Sequence, residues 1–137
     1  MTGMNWLFKE EPANYSFDAF VKDKGTVWSG VRNPVAQKHL HAVKKGDNVF
    51  YYHTGNEKSV VGIARAAANA YPDPDDPTGK AAVVEIVPVK KLPRPVTLAE
   101  IKADPFFKAF ALVRISRLSV MPVTDAEWKR IERMAGG

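Results

Sequence analysis

Val49 to His53 reads VFYYH, Ser59 to Ala66 reads SVVGIARA, and Thr54 to Lys58 (TGNEK) stands between them. The outer runs are rich in β-branched and aromatic residues, and the middle carries Gly55 and Asn56. This is the composition of two strands joined by a hairpin loop. Downstream, Ala81 to Val89 (AAVVEIVPV) has the same character, and its Pro88 implies an edge position or a strand end. Upstream, Asn5 to Lys9 (NWLFK) is a short apolar strand that Glu11-Pro12 stops, and Leu118 to Met121 reads as a closing strand.

Helices fill the intervals. Ser16 caps a short helix through Lys22 that buries Phe17, Phe20 and Val21. Gly25 to Gly30 reads as irregular. Asn33 caps a helix that Pro34 opens, with Ala36, Leu40 and Val43 on one buried face. Lys44 and Lys45 suit its negative C-terminal end, and Gly46 can take the left-handed conformation that closes it. Thr97 with Glu100, and Thr124 with Glu127, have the spacing of capping boxes, and Val123 can staple against Trp128 in a last helix reaching about Met134. Asp104-Pro105 opens another short helix bearing Phe106, Phe107 and Phe110. The mixture lacks βαβ regularity, so the fold class is α+β, with a mostly antiparallel, curved or barrel-like sheet and surrounding short helices.

The chain has 137 residues, no Cys and a formal net charge of +5. Its length suits one domain, residues 1–137, able to bury roughly 70% of its unfolded surface. The Pro-rich stretch from Tyr71 to Gly79 is a loop, not a domain boundary. The absence of Cys removes disulfides, thiol nucleophiles and thiolate zinc sites. No apolar run spans a bilayer and no signal peptide is read at the N-terminus, so a cytoplasmic, non-membrane protein is expected. The basic balance is compatible with nucleic acid or an anionic small molecule.

No Gly-rich phosphate loop and no acyl-transfer serine elbow occur. His39 and His41 stand two apart on a helix and face different ways, so neither a metal nor a cofactor is expected. Three clusters remain. Lys9, Glu10 and Glu11 end the first strand, where they are either solvated charges or readers of a base edge or phosphate. Trp28-Ser29-Gly30-Val31-Arg32-Asn33 sets an indole and polar donors just before a helix N-terminus. That is either a core plug under a loop or a flat face for a planar heterocycle. Tyr51 and Tyr52 point to opposite faces of their strand, one ring into the core and the other, with His53, able to line a pocket. Arg114, Arg117 and Ser119 recur among apolar residues near the end, Arg114 on a solvent face.

Together these residues resemble the EVE domain, a branch of the PUA-like superfamily related to YTH domains. The likeness runs from Trp6 to about Ala135. It is carried by Trp6-Leu7-Phe8-Lys9-Glu10-Glu11-Pro12, where the family has Ser in place of Glu10, and by the unaltered Trp28-Ser29-Gly30-Val31-Arg32-Asn33. Tyr52-His53-Thr54, Val61-Gly62-Ile63-Ala64, Ala70-Tyr71-Pro72-Asp73-Pro74 and Ser116-Arg117-Leu118-Ser119-Val120 extend it. The resemblance implies a monomeric binding module that recognises a modified cytosine or adenine in DNA or RNA, or a modified nucleoside, in an aromatic pocket. Trp28 would be one wall and Tyr71 or Tyr52 the second. Lys9, Glu10, Glu11, Ser29, Arg32, Asn33 and His53 would complete the pocket, and Arg32, Arg117 and Ser119 would hold phosphate or carbonyl oxygens. An alternative from the related ASCH domains is a small amidohydrolase acting on acylated nucleosides, with Lys9, Glu10 or Glu11, and Thr54 as its set. Its lysine would have to lose a proton through burial, and the sequence around Lys9 offers no apolar enclosure. A third reading is a protein-interaction module anchored on Phe106 and Phe107. Against it, two adjacent Phe in a short helix can simply cover different parts of one interior.

Overall fold

The structure, a computed structural model, describes residues 3–136. In chain order the elements are β1 (Asn5–Glu10), α1 (Pro12–Tyr15), α2 (Phe17–Asp23), β2 (Thr26–Trp28), α3 (Pro34–His41), β3 (Asn48–His53), β4 (Ser59–Ala66), β5 (Tyr71–Pro72), β6 (Ala82–Thr97), α4 (Leu98–Ala103), a 3-10 turn (Pro105–Phe107), α5 (Ala111–Arg114), β7 (Val120–Val123) and α6 (Asp125–Met134). The strands form a curled mixed sheet, a half-barrel, in the order β2-β6-β4-β3-β1-β7, with β5 paired to β6 beside that path. Only β1 and β3 run parallel; the other pairings described are antiparallel. None of the helices described is long and apolar enough to cross a membrane.

The hairpin forms as its composition requires, with a register shift between Tyr51 and Tyr52 against β4. One correction concerns the strand that follows. β6 does not stop near Val89 but runs 16 residues to Thr97. Its second half carries Lys90, Lys91, Pro93, Arg94 and Pro95, which do not read as a strand. It pairs nonetheless because register shifts against β4 absorb the prolines. Pro88 lies inside β6, but β2 covers only Val84 to Ile86 on that flank, so the missing N–H falls where the strand is an edge.

Further local differences have local causes. Thr26 to Trp28, read as irregular, is the edge strand β2, because β6 supplies a ladder that three residues could not predict alone. Val21 is 45% exposed, since α2 turns only Phe17 and Phe20 inward. α3 ends at His41, and Gly46 (φ 90°) serves the later turn into β3 rather than the helix end. The closing strand is Val120–Val123, two residues later than expected. Both capping boxes form, at Thr97 with Glu100 and at Thr124 with Glu127. Val123 and Trp128 are buried, and Trp128 stacks on Phe50 at 3.6 Å between ring centroids.

The core lies in the curl of the sheet. Phe17 packs edge-on against Tyr51 (5.3 Å) and Phe20 (5.7 Å) and lies directly over the backbone of Gly62. A Cβ at residue 62 would meet the Phe17 ring at 2.3 Å. Gly62→Ala is therefore expected to lower stability by about 1–3 kcal/mol, because the buried ring must shift away from Phe20 and Tyr51 to admit the methyl group. Urea unfolding of the variant checks this, and an unchanged midpoint would contradict the packing.

Candidate functional site

The pleat of β1 sorts the candidate residues. Phe8 lies 5.3 Å from the Trp28 ring, and Tyr51 meets that ring edge-on at 5.4 Å, so all three share the inner face. Alternation returns Glu10 to this face and sends Lys9 to the other. There Lys9 Nζ sits 5.6 Å from the centre of the Tyr52 ring and donates to the Ser116 carbonyl at 3.0 Å. Tyr51 and Tyr52 do occupy opposite faces: Tyr51 enters the core, and Tyr52, though buried, lines a hollow on the other side of the sheet. Burial, the nearby Glu10 carboxylate and Tyr15 hold the Tyr51 phenol well above its usual pKa.

Trp28 is 7% exposed, so the indole is part of the core. This departs from the expected flat, open face. The cause is β2: once Thr26 to Trp28 pairs with β6, the pleat turns the indole inward beside Val84. Ser29, Arg32 and Asn33 are exposed beyond it. Asn33 caps α3, its Oδ1 accepting from the N–H groups of Val35 (2.9 Å) and Ala36 (3.0 Å), which leaves its amide N–H groups to donate. Glu10 is half-buried. Its Oε1 accepts from Glu11 N–H at 2.8 Å, and its other oxygen has no partner among the described residues.

Other candidates fall elsewhere. Tyr71 pairs with Val83 whereas Trp28 pairs with Val84, the next residue of β6, so the two aromatics face opposite sides of the sheet and cannot form one cage. The Tyr71 hydroxyl donates to Glu85 at 2.9 Å. His53 is held by the backbone: its Nε2 accepts from Phe17 N–H at 3.0 Å, which puts the ring proton on Nδ1, toward Glu57 at 2.9 Å. Glu11 caps α1 and accepts from Thr54 Oγ1 at 3.4 Å. Arg32 lines a groove of 710 Å³ shared with Asp73, Asp75, Asp76 and Lys80, so carboxylates offset its charge on that side. Arg117 is exposed beside Ser116, on the Lys9 side, and the Ser119 carbonyl accepts from Lys9 N–H in the ladder. His39 packs near Trp6 while His41 reaches the Lys80 carbonyl, so the two do diverge.

Sequence reasoning missed a second hollow, 240 Å³ in volume, on the outer face between the sheet and α4–α5. Lys9, Tyr52, Thr54, Lys58, Lys102 and Leu112 are among the residues lining it. The apolar enclosure of Lys9, absent from its neighbours in sequence, comes from Leu98, Leu112 and Val113, and burial lowers its pKa. Only the basic residues themselves signalled this place. Phe107 is fully buried while Phe106 is 44% exposed under the Arg130 guanidinium (4.6 Å), so the two do not both serve one interior.

A model of the EVE domain family matches residues 4–134. A solved protein of Rhodopseudomonas palustris is 46% identical, with a TM-score of 0.93, covering 98% of this chain and 94% of that one. The human THYN1 protein, solved in complex with 5-methylcytosine-containing DNA, is 26% identical with a TM-score of 0.86, covering 98% and 99% of the two chains. An ASCH protein from Zymomonas mobilis shares the fold alone, at 12% identity and a TM-score of 0.57 over 96% of each chain. With its half-barrel and its sequence thus matched over almost its full length, the chain has a PUA-like fold and belongs to the EVE domain family.

Proposed function

We propose that the chain binds nucleic acid through a modified base, and that this base is a 5-substituted cytosine in DNA. The observation that carries the reading is Glu10, a half-buried carboxylate with one unpartnered oxygen on the same sheet face as Trp28. A carboxylate accepts from the exocyclic amine of cytosine and repels the O4 carbonyl of thymine. The likeness to a relative solved with 5-methylcytosine-containing DNA supports the same ligand. Asn33 donates from its free amide, Ser29 and Arg32 flank the base, and Trp28 supplies the ring. Because the indole is almost wholly buried, stacking requires the adjoining 29–33 segment, with its partly buried Val31, to lift away first.

Stacking on an aromatic contributes about 1–3 kcal/mol, and one buried methyl about 0.8 kcal/mol, or roughly fourfold. Extruding a paired base costs a few kcal/mol. Single-stranded or mismatched sites should therefore bind better than paired ones, with a strong dependence on salt from phosphate contacts. Fluorescence anisotropy with matched single strands checks this. The expected order is 5-methylcytosine above cytosine by about fourfold, and above thymine, which keeps the methyl but loses the amine, by about tenfold. Equal affinities for the three strands would overturn the reading. The amidohydrolase alternative is not favoured: Glu11 is committed to capping α1 and to Thr54, and Lys9 donates to a backbone carbonyl.

A further inference from the structure

The outer hollow has features that the base-reading face does not use. Lys9, Lys58 and Lys102 all line it. None of the ion pairs among the described residues involves any of the three. Burial penalises the charge on Lys9, and Lys58 and Lys102 bring two further ammonium groups to the same 240 Å³ hollow. An anion would offset that cost.

Tyr52 gives an independent sign. It is only 3% exposed, and its hydroxyl has no hydrogen-bond partner among the described residues, in contrast to Tyr15, Tyr51 and Tyr71. Yet no fully buried side-chain oxygen or nitrogen there lacks a partner, so the Tyr52 hydroxyl must open onto the hollow it lines. Buried polar groups are nearly always paired. A donor left facing a half-open hollow is placed for an acceptor that arrives with a ligand. Burial pushes this phenol up to about 12, so it stays a donor at neutral pH. Lys58 adds backbone strain at the rim. It holds φ 42° without being glycine while its carbonyl accepts from Leu98 N–H at 2.7 Å. Such strained residues cluster at ligand clamps.

We propose that this hollow is a separate binding site for a phosphate monoester carried on a nucleoside. Lys9, Lys58 and Lys102 hold the phosphate, and the Tyr52 hydroxyl donates to one of its oxygens. Leu98, Leu112 and Val113 offer the organic part an apolar wall. A monoester suits a recess walled by the sheet and α4–α5, because only one of its oxygens continues into a chain. An internal phosphodiester must leave in two directions. The shared chemistry has two sources, a free nucleotide and the phosphorylated end of a nucleic-acid strand.

Calorimetric titration tests this on the whole chain with a nucleoside 5′-monophosphate, the matching nucleoside and inorganic phosphate. A parallel arm compares unmodified oligonucleotides that differ only in a 5′-phosphate or 5′-hydroxyl. The monophosphate should bind about tenfold or more tighter than the nucleoside, the gain expected of a charge-assisted contact. Tighter binding of the 5′-phosphorylated strand than of the free nucleotide, lost with the 5′-hydroxyl strand, assigns the site to strand ends, and tighter binding of the free nucleotide assigns it to free nucleotide. The double variant Lys58→Gly, Lys102→Gln should lose the preference for the phosphate while folding normally, because glycine suits φ 42° and Lys102 is exposed. Tyr52→Phe should weaken monophosphate binding severalfold without changing thermal stability. Indistinguishable affinities for nucleoside and monophosphate, or an unaffected double variant, would overturn the proposal. The 5-methylcytosine preference should be the same in wild type and double variant, so failure here is separable from failure of the base-reading face.

Discussion

Trp28→Ala is expected to cost about 3–5 kcal/mol of unfolding free energy, because the indole fills the core between Phe8 and Tyr51. With 7% of its surface exposed, little of the side chain would survive truncation without leaving a cavity. A domain's whole stability is about 5–15 kcal/mol, so this single loss brings the fold near its limit. The thermal midpoint should fall by about 10–20 °C. Urea unfolding followed by far-UV circular dichroism measures the loss, and a cost below about 1 kcal/mol would show that the indole is not the packed residue described. The result also governs how binding experiments are read. A mere loss of oligonucleotide binding by Trp28→Ala cannot be assigned to lost stacking, since lost stability also lowers the binding-competent population. Trp28→Phe is the informative partner: it keeps an aromatic ring against Phe8 and Tyr51 with a smaller cavity. A drop in base affinity beyond its drop in stability isolates the stacking contribution.

The architecture was legible wherever local chemistry and tertiary context agreed. The hairpin around 54–58, both capping boxes, the Asn33 cap and the inward rings of Phe17 and Phe20 are found as their sequences imply. The second half of β6 was not legible, because two prolines and two lysines signal a loop and only the register shifts against β4 make room for them. The candidate site was legible as a set of residues but not as a place. Lys9 and Glu10 are neighbours in sequence and lie on opposite faces of the sheet, and Tyr71 and Trp28 are divided by one step along β6. Which face a residue takes depends on a partner strand far along the chain, so one linear list of pocket residues became two faces with different chemistry. The outer hollow is the clearest case. Its walls come from Lys9, the 52–58 hairpin, Leu98 and α5, segments that no local pattern connects.

Asp47→Ala should be comparably damaging, although nothing in the sequence around it marks the residue. Asp47 is 3% exposed and accepts from three donors. Its Oδ1 accepts from Met4 N–H at 3.0 Å, and its Oδ2 accepts from the Trp6 indole N–H at 2.8 Å and from Lys44 N–H at 2.9 Å. One carboxylate thus joins β1 to the turn that enters β3, beside the parallel pairing of those two strands. Removing it strands three donors, the indole N–H among them fully inside, at about 1–3 kcal/mol for each buried group left unpaired. A loss of about 3–5 kcal/mol is expected. Asp47→Asn should recover little of it, because the substituted amide turns N–H groups toward donors that need an acceptor. The double-mutant cycle with Trp6→Phe separates this network from simple cavity formation. Phenylalanine has no ring N–H, so the cost of Asp47→Ala should fall by about 1–2 kcal/mol in that background. Additive costs would mean that the carboxylate and the indole do not act together, and that the parallel β1–β3 junction is held by packing alone.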